Sequence, residues 1–313
     1  MPAPHRIDTQ HHVLPPRYVA EVGAEAIGRT LVSGQLPAWD PGVSLAAMDR
    51  HGIATAMVSI SAPGFPVADP VSLCRHCNDY ASTLIQAHPG RFGSFASLPL
   101  PDVAASLDEL HRSLDDLKAD GICLLTNYGG RYLGDPLFAP IMDELERRRA
   151  TVYVHPNEGP GAFLGNLPPA SLEFPFDTTR AIANLLFTGT LLRTRSVKYI
   201  FSHAGGTIPF LAERLARLER RPDLAQHAPQ GVLAELRRLH FDVALSAGPL
   251  TLSALLRFTT PDHVLFASDF PHAPEPAMAG SVDGLATAGL EPADLELIER
   301  GNALRLMPRL GAP

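Results

Sequence analysis

Ile7-Asp8-Thr9-Gln10-His11-His12-Val13-Leu14-Pro15-Pro16 decides how this 313-residue chain is read. It is a short apolar strand that runs into a Pro-Pro break, with two adjacent histidines at its end. Side chains alternate along a strand, so Gln10 and His12 share one face and His11 takes the other. Two polar side chains at i and i+2 on a strand end can be aimed together at one bound ion. A metal site ordinarily has histidine at both places, and here the first is Gln10.

Working outward, short β-rich runs alternate with amphipathic segments almost from end to end. Strands are expected at 6–10, 54–60, 92–97, 121–125, 151–155, 199–203, 240–243 and 263–267. Helices are expected at 44–51, 72–88, 102–118, 140–149, 177–192, 207–220 and 249–258, and segments 281–288 and 292–300 close the chain. In the 72–88 segment Leu73, Cys77, Tyr80 and Leu84 recur at helical spacing, and His88-Pro89-Gly90 stops it. Strand-helix alternation argues for parallel pairing with helices covering the sheet. Eight repeats in this length favour an α/β fold of the closed (β/α)8 TIM-barrel type over an open sheet. No composition shift marks a second domain, so residues 1–313 are read as one.

Composition excludes several function classes. Hydrophobic residues make up 45% of the chain and charged ones 19%, enough for a sizeable core. The net charge of −7 comes without a run of either sign, which gives no footprint for nucleic acid or an anionic membrane. No apolar stretch reaches the ~18 residues of a membrane span. Three cysteines indicate a reducing compartment without a disulfide framework, so a soluble cytoplasmic protein is expected. Cys74-x-x-Cys77 lies inside a helical pattern with no second pair, and its thiols read as structural.

In a barrel, chemistry collects where strands end in loops at the carboxyl face. The first strand ends in Gln10-His11-His12, the fifth in His155-Pro156, the sixth in His203-Ala204-Gly205-Gly206 and the eighth in Asp269-Phe270-Pro271-His272. Imidazole and carboxylate donors suit a divalent ion and leave a position for water or substrate. His12, His155 and Asp269 would supply two nitrogens and an oxygen, with Gln10 offering a neutral amide oxygen. His203 is placed to hold or move a proton near neutral pH. Each has a plainer reading: a strand-end histidine bonded to a loop, a structural Gly-Gly turn, and for Gln10 a spectator. His11 reads as a packing residue, and His272 as a solvated loop histidine.

These motifs resemble the amidohydrolase-related (amidohydrolase 2) family of metal-dependent TIM-barrel enzymes, in its aminocarboxymuconate-semialdehyde decarboxylase-like branch. Asp8 to Pro15 matches its Asp-x-His-x-His-x-x-Pro, His155-Pro156 its fifth-strand His-Pro, Ser202 to Pro209 its Ser-His-x-Gly-Gly-x-x-Pro, and Ser268-Asp269-Phe270-Pro271 its last motif. The resemblance implies Gln10, His12, His155 and Asp269 as ligands of a divalent metal ion, zinc first and manganese second, with His203 and Asp269 as catalytic groups. Gln10 departs from the family histidine, a position known to vary, usually to Glu.

Similarity of Ser59-Ile60-Ser61-Ala62-Pro63-Gly64, Ala119-Asp120-Gly121 and Leu133-Gly134-Asp135-Pro136 to 6-methylsalicylate decarboxylase-type proteins further implies non-oxidative decarboxylation of a small aromatic or conjugated carboxylic acid. A lactone, amide or ester hydrolase and a degraded, non-catalytic binding barrel stand as the alternatives. The branch also implies a homodimer in which Arg214 reaches a neighbouring subunit's site. Arg180, at the start of the helix after the fifth loop, is a second candidate for a substrate carboxylate. For both arginines a surface salt bridge is the competing reading.

Overall fold

The computed structural model describes residues 4–160 and 167–311. Eight strands form one sheet: β1 (Arg6–His12), β2 (Ile53–Ser59), β3 (Phe92–Ser97), β4 (Gly121–Leu125), β5 (Thr151–His155), β6 (Lys198–Phe201), β7 (His240–Asp242) and β8 (Val264–Leu265). They lie side by side in chain order, every neighbouring pair parallel. Between β8 and β1 the ring is closed by backbone bonds rather than a full ladder. Thr9 N–H donates to the Phe266 carbonyl at 3.0 Å, Asp269 N–H to Gln10 at 2.9 Å and His12 N–H to Phe270 at 2.7 Å. The (β/α)8 barrel expected from the alternation is the observed fold.

Local chemistry explains the repeats. Asp40, Asp69 and Asp102 each stand just before a helix and accept the exposed N–H three residues on, at 2.9–3.0 Å. Such caps satisfy donors that have no partner within the helix. In the helix Pro70–Ala87 the stripe Leu73, Cys77 and Leu84 is buried as its spacing required, and Gly90 turns the chain with φ +75°. One core lies between sheet and helices. A second fills the barrel with Ile7, Met57, Phe95, Cys123, Tyr153, Ile200 and Leu265, and the helix Asn302–Leu306 packs against it through Ala303 and Leu306.

Several boundaries differ from expectation. β6 ends at Phe201, because His203–Gly205 already form a tight turn with His203 and Ala204 at positive φ. β8 is two residues long, since Phe266 N–H turns away to the Ile298 carbonyl. The 177–192 helix begins at Glu173 and breaks at Gly189, giving Glu173–Phe187 and Thr190–Arg193. After Pro15 the chain does not simply loop: Pro16 opens the helix Pro16–Val22, followed by Ala24–Arg29, because proline suits the first helical turn. Gly129-Gly130 is the turn of a small hairpin joining Asn127–Tyr128 to Arg131–Tyr132. No helix among the described residues is long and apolar enough to cross a membrane.

Candidate active site

The strand ends that carry the histidines and Asp269 converge at the carboxyl mouth, beside a cavity of about 880 Å³. His155, His203, Asp269 and His272 line one side of it, and Leu31, Phe174 and much of the 30–37 segment line the other. A mostly apolar cleft with a few convergent polar groups is the usual form of a small-molecule site.

The first strand is irregular where it matters. Its pairing register with β2 shifts between Asp8 and His11, and such a bulge re-aims side chains. Gln10 and His12 both reach Asp269, the shared face the alternation called for. Gln10 Nε2 donates to Asp269 Oδ1 at 2.7 Å, and His12 Nε2 donates to the same oxygen at 2.9 Å. His11 points away and is packed as expected. Its Nδ1 meets Asp8 Oδ2 at 3.0 Å and its Nε2 meets Ser44 Oγ at 2.9 Å.

Asp269 sits in the left-handed region with φ +63°. Holding a non-glycine residue there costs about 1–3 kcal/mol and needs support from its surroundings. Asp8 supplies that support. Its buried carboxylate accepts from Ser268 N–H at 3.0 Å, Ser268 Oγ at 2.5 Å and Gln10 N–H at 3.2 Å, and Phe270 N–H donates to Ser268 Oγ at 3.1 Å. His203, at φ +54°, is held in the same way from β7: Asp242 Oδ1 accepts its N–H at 2.9 Å. Asp242 also accepts from Tyr153 Oη at 2.9 Å, and burial pushes its carboxyl up to about 6. Sequence reading missed Asp242, in the strand whose shortness and polar flanks made it the least distinct of the eight.

The electrostatics separate the groups. Burial works against charge on Asp269, but hydrogen bonding and charge from His12 and His203 outweigh it and hold the carboxyl well below its usual range. Burial likewise opposes protonation of His203, whose Nε2 is 3.8 Å from Asp269 Oδ2. The Asp269 carboxylate prevails, and His203 is raised above an ordinary histidine. Burial, with His12 next, drives His155 well down. Burial, again with His12 next, pushes His272 down to about 3. His272 is not the solvated loop residue expected: its ring stacks on His12 at 4.4 Å. Its burial arises from contact between β1 and the loop after β8, for which nothing local in Pro271-His272-Ala273 is a signal.

The donor set fits a divalent ion. His155 Nδ1 donates to the Pro156 carbonyl at 2.7 Å, which leaves Nε2 as the lone-pair nitrogen. Its ring lies edge-on to His12 with centroids 5.0 Å apart. Ligating atoms of His12, Asp269 and His272 all fall within 4.8 Å of one another. Arg180 and Arg214 are not brought to this cluster. Both are exposed on outer helices, and neither lines the cavity.

Gly206 shows how tightly the rim is built. Its φ is +66°, and a methyl group there would strike the Pro175 carbonyl and lie 2.7 Å from Thr179 Oγ1. Gly206→Ala is expected to cost about 1–3 kcal/mol, read as a lower unfolding midpoint in urea. An unchanged midpoint would mean that the rim is softer than its contacts indicate.

Comparison with known proteins agrees with this geometry. The chain is 38% identical to a 6-methylsalicylic acid decarboxylase of Aspergillus aculeatus, covering 97% of this chain and 96% of the relative. It is 36% identical to a 6-methylsalicylic acid decarboxylase of Penicillium expansum, covering 97% of each. A solved amidohydrolase II structure superposes with a TM-score of 0.88 at 29% identity, covering 97% of this chain and 99% of that one. Residues 7–309 match the family model described as amidohydrolase. A match of that extent, on a barrel with histidines and an aspartate gathered at the carboxyl mouth, makes this chain a member of the amidohydrolase family.

Proposed function

We propose that the protein is a metal-dependent, non-oxidative decarboxylase of a small aromatic carboxylic acid, a carboxy-lyase whose leading substrates are hydroxybenzoates of the 6-methylsalicylate type. One observation carries the reading beyond the relatives' names. Eight buried side-chain polar atoms among the described residues lack a partner, and three of them, Gln10 Oε1, His203 Nδ1 and His272 Nε2, belong to the cluster around Asp269. Unsatisfied buried polar atoms are costly and rare, and their concentration beside a cavity marks where a ligand completes the bonding.

His12, His155 and Asp269 would hold the ion. A divalent ion, zinc in the first instance and manganese in the second, supplies a Lewis-acidic anchor for carboxylate and phenolate oxygens. The chain's own residues do the rest. The wall formed by Leu31 and Phe174 takes the ring. Gln10 holds the Asp269 carboxylate in place, and Asp269 keeps a proton on His203. His203 delivers that proton to the ring carbon bearing the carboxylate. The bond to the carboxyl carbon then breaks, its electron pair returns to the ring, and CO2 leaves. No oxidant is consumed.

The test is CO2 release from a panel of hydroxybenzoates by purified protein of measured metal content. Chelation is expected to abolish release, and added zinc or manganese to restore it. Metal with lactone or amide cleavage and no CO2 would instead make it a hydrolase. Protein that stays inactive with either metal would make it a binding barrel.

Arg214 acquires a role only if two chains pair. Phe210 and Leu250, on the adjacent helices Ile208–Ala216 and Pro249–Phe258, are 87% and 88% exposed. Arg214 follows Phe210 by one helical turn on the same face. This apolar patch supports a homodimer formed across these helices. Phe210→Glu is expected to yield monomer by sedimentation and to lower kcat/KM. A variant that remains dimeric and fully active removes this surface from the interface.

A further inference from the structure

Gln10 stands where the family places a ligand, yet its amide is engaged elsewhere. Nε2 donates to Asp269 Oδ1 at 2.7 Å and lies 3.2 Å from His203 Nε2. Oε1, the one atom of this side chain suited to a metal, has no partner. Asp269 Oδ1 can only accept, so turning the amide over would set two oxygens against each other.

His272 is likewise engaged through one atom, but its open atom is an imidazole nitrogen. Its Nδ1 is engaged by Ser61 Oγ at 2.9 Å, and its Nε2 is buried without a partner. Its ring lies over His12 with centroids 4.4 Å apart and planes 21° apart. One ring nitrogen of His272, one of His12 and a carboxylate oxygen of Asp269 fall within 4.8 Å of one another. A histidine oriented through one nitrogen, with the other left open, has the usual form of a prepared metal ligand. Imidazole is also a better donor to zinc-like ions than an amide oxygen.

We propose that His272, not Gln10, supplies the fourth protein donor to the divalent ion, beside His12, His155 and Asp269. Gln10 is then a positioning residue whose amide holds the Asp269 carboxylate beside His203. The assignment rests on the proposed function only in needing an ion at Asp269. For one ion to be shared, the stacked rings of His12 and His272 must fan apart.

Cobalt(II) titration of the chelator-treated full chain tests the assignment, because cobalt absorption reports the donors directly. His272→Ala and the bulkier His272→Gln are expected to weaken cobalt binding by more than the roughly 10–100-fold that loss of a supporting partner costs. Both are also expected to change the visible spectrum, while circular dichroism stays that of the folded protein. Gln10→Ala is expected to keep wild-type affinity and spectrum while kcat falls at unchanged KM. Loss of cobalt from Gln10→Ala, or full binding by both His272 variants, overturns the assignment and leaves the metal-dependent reading standing. A wild-type chain that takes up no cobalt overturns both.

Discussion

Asp269→Asn is expected to end CO2 release while leaving the barrel folded. Asparagine is isosteric with aspartate and, of the non-glycine residues, among those most at ease in the left-handed region, where Asp269 lies at φ +63°. The Asp8 bonds to Ser268 are untouched by the change. What changes is chemistry. Asp269 Oδ1 accepts two hydrogens at 2.7 and 2.9 Å, from Gln10 and His12. The amide keeps one oxygen, loses the charge and turns an N–H toward its neighbours. It weakens the metal site and removes the charge that keeps His203 protonated, so a fall in kcat of at least ~10²–10⁴ is expected, the scale of losing one positioned acid–base group. The measurement is turnover alongside a thermal melt. Wild-type turnover in a folded variant would take Asp269 out of the mechanism.

His203→Asn is expected to lower kcat by roughly 10²–10⁴ and to leave KM nearly unchanged. Asparagine again tolerates the positive φ at this position, and Asp242 still accepts the backbone N–H. The same group sets the pH response. Asp269 raises His203 above an ordinary histidine, after burial has pulled the other way, so the protonated donor persists to higher pH than a solvated imidazole would. Wild-type kcat should therefore be sustained on the acid side and fall as pH rises through that raised value. The variant should lose this alkaline limb. A variant of lower kcat that keeps the wild-type limb would assign the proton to another group.

The carboxyl-end motifs were legible because strand geometry dictates them. An apolar run closed by His or Asp points that residue at the mouth whatever else the chain does. By this rule His12, His155, His203 and Asp269 were expected at the mouth, where the structure brings them together. His272 and Asp242 were not, since their roles come from contacts between distant strands. Ser61 lies 211 residues from His272, and Asp242 lies 39 residues from His203. The wall formed by residues 30–37 was hidden for a related reason: the Pro-Pro break reads locally as an interruption, and only tertiary packing shows that it launches two helices that lead into this wall. Fold class tolerated these omissions because it depends on periodicity and order. Arg180 and Arg214 were candidates by residue type and by resemblance, and a single chain leaves both exposed and outside the cavity lining.

The barrel closes where its chemistry lies. Contacts from Asp8, Gln10 and His12 to Ser268 and Asp269 span 257–260 residues, and only a few backbone bonds join the strands that carry them. The reacting centre therefore comes into being when the ring is completed, and a partly folded barrel with seven well-formed neighbours has none. Contacts so distant in sequence form late and slowly, and a thinly bonded junction is where a native protein opens first. Turnover should accordingly vanish at lower denaturant than helical signal does, which makes the enzyme its own sensor of whether the circle is shut.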